Sequence, residues 1–220
     1  MQERLTRHVR DRTEMLAALG HDLRSPLTVL RLRIETLEDH EARDRLAATA
    51  DEMQSVVETT LAFAKGVAVA EPSNAIDLRS LVREIVNDSD RAECINLVSG
   101  ESVSVAGRQT ALKRAFRNIM ENAVAYGERA RITIENSDAG AQVAVKDNGP
   151  GLDQEDLERV FHPFVRLETS KSRDTGGIGL GLPITRAIIH SHGGEITLQN
   201  HSDGGLIVHM LIPDTGPAVT

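Results

Sequence analysis

The chain has 220 residues, enough for one large domain or two small ones, with 40% hydrophobic and 26% charged residues, ordinary for a globular protein. A net charge of −8 leaves it without the basic face of a general nucleic-acid binder, and a single cysteine, Cys94, excludes an intrachain disulfide and fits a reducing, cytoplasmic compartment. No apolar run approaches the roughly 18 residues needed to span a bilayer, and Met1 opens a polar, Arg-rich stretch, so this piece makes no membrane contact of its own, though membrane segments could precede it.

From about residue 4 to 65 the pattern is helical. Leu16, Leu19, Leu23, Leu30, Ile34 and Leu37 form one apolar seam, polar residues 39–41 interrupt it, and Leu46, Ala50, Met53, Val57, Leu61 and Ala64 form a second. Two such helices joined by a short turn make an antiparallel hairpin. One hairpin cannot cover both seams, so a homodimeric four-helix bundle is expected. Residues 66–75 (GVAVAEPSNA) lack amphipathic period and read as a linker.

Beyond the linker the chain mixes helices and strands. A short helix is expected over 77–87 with Asp77 as N-cap, a strand at Val103 and Val105 ending at Gly107, and a long helix over 109–125. Strands at 132–135 and 143–146 flank a hairpin turn at 137–140; a helix at 179–191 precedes strands at 196–198 and 206–212. The fold class is α+β: a helical hairpin followed by an α/β sandwich.

Within the first helix stands GHDLRSPL. At about 100° per residue, His21 lies opposite the seam and faces solvent, with Ser25 four residues on and Asp22 adjacent. Pro26 costs a helix interior about 3 kcal/mol and bends it just after the histidine. An exposed imidazole beside a carboxylate suits nucleophilic attack on a phosphoryl group. On this stretch alone, that reading and an inert surface histidine stand even.

Three later stretches suit a nucleotide. In RNIMENAVAYG, Asn118 and Asn122 share a helical face and offer neutral oxygen ligands to a hard cation such as Mg²⁺, although a surface helix also carries such polar stripes. In VKDNGPGL, Asp147 can accept a hydrogen bond from an exocyclic amine while Gly149 and Gly151 let the backbone approach a flat ring; a plain turn fits the same residues. In GGIGLGLPITRAI, Gly177, Gly179 and Gly181 lead into a helix whose first amides can face phosphate oxygens, with Pro183 in a first-turn place and no Walker lysine following. Residues 152–176, with FHPFVR, Lys171 and Arg173, read as a lid anchored by Phe161 and Phe164.

The ordered set HDLRSPL, NxxxNAxxY, DxGxG, FxPF and GxGLGL resembles the sensor histidine kinases of two-component signalling, from about residue 15 to 213. The resemblance implies a signalling helix at 1–14, a dimerisation and phosphotransfer domain at 15–65, a linker at 66–76, a Bergerat-type ATP-binding domain at 77–214 and a tail at 215–220. It implies His21 as phosphoacceptor, Asp22 as the acid that polarises it, and Ser25 in the place of the residue that positions a hydrolytic water. Asn122 with Asn118 would bind Mg²⁺, Asp147 would read the adenine amine, and Tyr126 would pack on the base. Gly177, Gly179, Leu180 and Gly181 would hold the ATP phosphates, with Arg166, Lys171 and Arg173 reaching in from the lid.

Two departures stand out: Ala125 replaces a common basic residue before the tyrosine, and Ser25 replaces a Thr or Asn. The implied activity is ATP-dependent autophosphorylation of His21 and transfer to an aspartate of a response regulator, with regulator phosphatase activity as a companion. The implied setting is the cytoplasmic part of a longer, membrane-anchored sensor. The rival readings are a catalytically weak ATP-binding scaffold or phosphatase, and an ATPase clamp of the same nucleotide fold; such clamps carry a Glu where this chain has Asn118.

Overall fold

The computed structural model describes residues 71–98, 102–167 and 179–214, together with 26, 28–30, 32–36, 39, 42–43, 46–47, 49–50 and 53. The chain divides into two compact units, Met1–Val69 and Ala70–Thr220.

In the first unit the described residues on either side of Asp39 are helical, apart from Thr36, which is in a turn. Asp39 starts the second run as a cap: its Oδ1 accepts from the Ala42 amide at 3.1 Å and its carbonyl from Arg43 at 2.9 Å. Of the seam residues described, Ile34 and Ala50 are buried, whereas Leu30, Leu46 and Met53 are exposed. His21, Asp22 and Ser25 lie outside the described residues.

The second unit opens with β1 (Asn74–Asp77), α1 (Leu78–Asn87), a 3₁₀ turn (Ala92–Cys94), β2 (Ile95–Leu97), β3 (Ser104–Gly107) and α2 (Gln109–Gly127). Then follow β4 (Ala130–Ser137), β5 (Gly140–Asp147), the short α3 (Asp156–Arg159), α4 (Gly181–Ser191), β6 (Glu195–Asn200) and β7 (Leu206–Ile212). Five strands form one sheet in the order β2-β4-β5-β7-β6, parallel only between β2 and β4; β1 and β3 pair apart as an antiparallel ribbon. The helices α2 and α4 supply the apolar layer over the sheet, with Phe116, Ile119 and Ile189 at most 1% exposed. The mixed architecture is the expected α/β sandwich.

Strand alternation decides what faces that core. In β4, Ala130, Ile132 and Ile134 are buried while Arg131 and Glu135 are exposed; in β5 the inward set is Val143, Val145 and Asp147. The hairpin closes at Ser137, whose hydroxyl donates to the Gly140 carbonyl at 2.7 Å. Asp77 caps α1 as expected, accepting from the Ser80 amide at 3.0 Å and from the Ser102 hydroxyl.

Several boundaries differ from the sequence expectations. The stretch read as linker over 66–75 ends in a strand: Asn74 pairs with Gly107 and Ala75 with Ala106. A four-residue strand among small and polar residues leaves no periodic trace, and tertiary pairing alone makes it. β2 and α3 were likewise unforeseen, being three and four residues long. The long helix runs on to Gly127 and stops where Glu128 takes a left-handed conformation, φ 64°. The glycine-led helix begins at Gly181 rather than Gly179, because Gly179 sits at φ 73° in the preceding turn.

Candidate nucleotide site

The expected site residues that are described fall into two groups in the second unit. The first joins α2 to the start of α4. Asn118 and Asn122 are half-buried on α2, and the Asn118 side-chain amide donates to the Gly181 carbonyl at 3.3 Å. That contact uses the nitrogen of Asn118 and leaves its oxygen as an acceptor. A Cβ on Gly181 would stand 3.7 Å from Asn122 Nδ2 and 4.0 Å from Asn118 Cγ, ordinary contact distances that set this position beside both asparagines. Thr185, fully buried one turn on, donates to the same Gly181 carbonyl at 2.9 Å. Leu180, 1% exposed, pins the turn before the helix, and Pro183 is buried in the first turn, where its missing N–H is not needed.

The second group surrounds Asp147, the last residue of β5 and 7% exposed. Its Oδ1 accepts from the Gly149 amide at 2.8 Å and from the Leu206 amide at 3.0 Å. Both bonds fall on one oxygen, so Oδ2 receives none from the described residues. Two amides on Oδ1 hold the carboxylate plane fixed while Oδ2 stays available to a donor. Close backbone packing needs glycines here: a Cβ on Gly127 would stand 2.5 Å from Asp147 Cβ, and one on Gly149 3.1 Å from the Tyr126 carbonyl. Tyr126, half-buried in the last turn of α2, lines a cavity of about 430 Å³ with Gly127, Glu128, Arg129, Asn148, Gly149 and Pro150.

Residues outside the sequence reading complete this loop. Asn200, at the end of β6, clamps the backbone after Gly151: Oδ1 accepts from the Leu152 amide at 2.9 Å and Nδ2 donates to its carbonyl at 2.7 Å. Gly151 is at φ 76°, and a Cβ there would stand 2.6 Å from Asn200 Oδ1. Gly205, at φ 92°, lies against the Asp147 carbonyl, where any side chain would collide. Asn200 and Gly205 come from a hairpin more than 50 residues downstream of Asp147, and no local motif announces them.

The FHPF stretch departs from its expected role. Phe161 is an anchor, 6% exposed and covered by the Arg186 guanidinium 4.7 Å from its ring centre. Phe164 is not an anchor: it is 62% exposed, at φ 66°, held by its amide donating to the Gly179 carbonyl at 3.0 Å. The left-handed backbone at Phe164 takes its ring out of phase with Phe161 and leaves it in solvent. Arg166 follows on the surface. Lys171, Arg173 and Gly177 lie outside the described residues.

Residues 107–216, half of the chain, match the family model of histidine kinase-, DNA gyrase B- and HSP90-like ATPases, and residues 11–68 match that of the His Kinase A (phospho-acceptor) domain. The sensor histidine kinase GtrS of Pseudomonas aeruginosa is 37% identical over 216 residues, covering 98% of this chain and 45% of its own length. The sensor histidine kinase CpxA of Escherichia coli is 29% identical, covering 95% of this chain and 48% of its own length. The chain therefore spans about half the length of these curated relatives. Among solved structures, full-length ShkA in complex with AMPPNP matches with a TM-score of 0.76 at 26% identity, over 94% of this chain and 47% of that one. With the phospho-acceptor model on the helical unit and the ATPase model on the sandwich, the chain belongs to the sensor histidine kinases of two-component signalling.

Proposed function

We propose that this chain is the catalytic core of a sensor histidine kinase, binding ATP in its second unit, transferring the γ-phosphoryl group to His21, and passing it to an aspartate of a response regulator. The observation that carries the reading is the bond from the Asn118 amide to the Gly181 carbonyl at the start of α4, with Asn122 beside it. Amide oxygens beside helix N-terminal N–H groups make a surface that accepts both a cation and phosphate oxygens. The family models and relatives support the same activity.

Asp147 Oδ2 accepts from the adenine amine, and Tyr126 packs on the base. Gly149 and Gly151 allow the ring to approach the backbone. Asn122, assisted by Asn118, holds Mg²⁺; the donor set fits, since Asn118 already spends its nitrogen on Gly181 and presents oxygen. The ion, when bound, neutralises charge on the β- and γ-phosphates. Amides of Gly177, Gly179, Leu180 and Gly181 take phosphate oxygens, with Arg166, Lys171 and Arg173 adding charge from the lid. Neutral His21 attacks the γ-phosphorus; the bond to the β,γ-bridging oxygen breaks, and ADP leaves. Asp22 orients the imidazole and takes up its proton. Ser25 places a water for regulator dephosphorylation.

The hairpin serves as a homodimer. Its exposed Leu30, Leu46 and Met53 lie on seams whose Ile34 and Ala50 are buried, which supports a second copy completing a four-helix bundle. Domain limits follow as 15–65 for the phosphotransfer domain and 77–214 for the ATP-binding domain, with β1 reaching back to Asn74. Among the described residues no helix is long and apolar enough to cross a membrane. The reading places this core on the cytoplasmic side of a longer anchored sensor.

The test is incubation with Mg²⁺ and γ-labelled ATP, comparing the parent with His21→Gln. Protein-bound label that survives alkali and is lost in acid, on the parent only, is the expected result. Equal labelling of both proteins removes His21 as acceptor, and no labelling with ATP still bound points to a scaffold.

A further inference from the structure

His192 has no part in the chemistry above, yet it is 1% exposed. It caps the C-terminal end of α4. Its Nδ1 stands 2.7 Å from the Ile188 carbonyl, which only accepts, so Nδ1 carries the hydrogen. The Arg108 amide donates to Nε2 at 3.0 Å, so Nε2 offers its lone pair. These two contacts require the neutral imidazole, and burial, the largest influence, together with the Arg108 charge holds its pKa below the usual 6.5.

Arg108 is the N-cap residue of α2 and its own side chain makes no cap; Glu71 Oε1 accepts from the Thr110 amide at 2.8 Å, leaving the Arg108 amide to another partner. An imidazole from α4 satisfies the amide that would otherwise be orphaned. The same end carries a second tie, from the Arg108 guanidinium to the Ser191 hydroxyl. The ring lies close against Gly107, where a Cβ would stand 3.1 Å from His192 Cδ2 and 2.8 Å from Leu112 Cδ1. The two helices run antiparallel, so the opposite end of the pair is where Asn118 meets Gly181. Between the ties lie similar lengths of helix, Arg108 to Asn118 and Gly181 to His192. A rigid helix pair fixed at one end transmits that register to the other.

We propose that His192 is a positioning residue: by bonding the Arg108 amide it sets the register of α4 against α2, and so fixes the Gly181 turn opposite Asn118 and Asn122. The proposal rests on the nucleotide reading of that turn. It predicts that His192 matters for the phosphates and not for the base, because Asp147 is held by the Gly149 and Leu206 amides.

The experiment compares ATP and adenosine binding to the full chain for the parent, His192→Phe and His192→Gln. Phenylalanine keeps the ring and removes both hydrogen bonds; glutamine places an acceptor near the Nε2 position. His192→Phe is expected to lose ATP affinity roughly tenfold, as for a buried donor left without its partner, with adenosine affinity unchanged and His192→Gln recovering most of the loss. Equal losses for ATP and adenosine, or no recovery with glutamine, overturn it. Amide resonances of the same proteins without nucleotide separate the two readings. Those of Gly181 and the Asn118 side chain should shift in His192→Phe and return in His192→Gln, while Gly149 stays in place. Unshifted Gly181 and Asn118 signals overturn the proposal whether or not ATP binds. Shifted signals in a parent that binds no ATP uphold the register role and remove the nucleotide reading. Should the phenylalanine variant not fold, His192→Asn keeps a donor for Ile188 but falls short of Arg108, and the same outcomes apply.

Discussion

Asp147 is buried because of its parity in β5. Val143 and Val145 face the core, and the next residue of the same phase is an acid placed where the strand ends and water begins. Two amides on Oδ1 satisfy that oxygen where the strand ends. Asp147→Asn preserves the size and an oxygen for those amides but removes the charge, so ATP affinity should fall by roughly tenfold or more, in keeping with about 1.5–3 kcal/mol for a bond to a charged group. Isothermal titration against ATP and GTP reads this, with the ATP preference expected to shrink. Gly205→Ala is the opposite kind of change: it touches no ligand, yet combines positive φ with a collision at the Asp147 carbonyl. A loss of about 1–3 kcal/mol in stability is expected, seen in urea unfolding, together with weaker ATP binding as Asp147 moves.

At the scale of elements, α1 and α2 are started by different means. The first has a local cap, Asp77, three residues before the amide it accepts from; the second depends on distant partners, His192 for the Arg108 amide and Glu71 for the Thr110 amide. The Ser102 hydroxyl and then the Ser80 amide hold the Asp77 carboxyl below its usual 3.8. A carboxyl whose folded pKa is depressed contributes stability above the ordinary carboxylate range, and that contribution is lost as pH falls through the lowered value. Asp77→Ala should therefore cost about 0.5–2 kcal/mol at neutral pH, and the gap between variant and parent melting temperatures should close in acid. A gap that persists unchanged below that range would mean the cap acts through packing rather than charge.

For the whole molecule, the two units carry different parts of the proposed reaction, so activity depends on assembly as well as on either fold. Seam residues Leu30, Leu46 and Met53 at 42–48% exposure in a single chain are expected to become covered in a dimer. Sedimentation should show a dimer that weakens on Leu46→Lys, with labelling of His21 falling in parallel if the bundle is the working form. Labelling should also fall as pH drops through the ordinary histidine range near about 6.5, because only the neutral imidazole attacks. Flat labelling down to about pH 5 would exclude a titrating histidine nucleophile.

What could be read in the chain alone were the features encoded by neighbours in sequence. Periodicity marked α2, α4, the β4–β5 hairpin and β7, since a helix or strand face repeats every few residues whatever it packs against. Asn118, Asn122, Asp147 and the glycines stood out because their chemistry is local to short motifs. Tertiary structure alone decided the pairing of β1 with β3, the exposure of Phe164, the Asn200 clamp on Leu152, the fit of Gly205 against Asp147, and the His192 bond to Arg108. Each of these joins residues far apart in the chain or turns on a single backbone angle, and neither a distant partner nor a left-handed φ leaves a periodic mark in sequence.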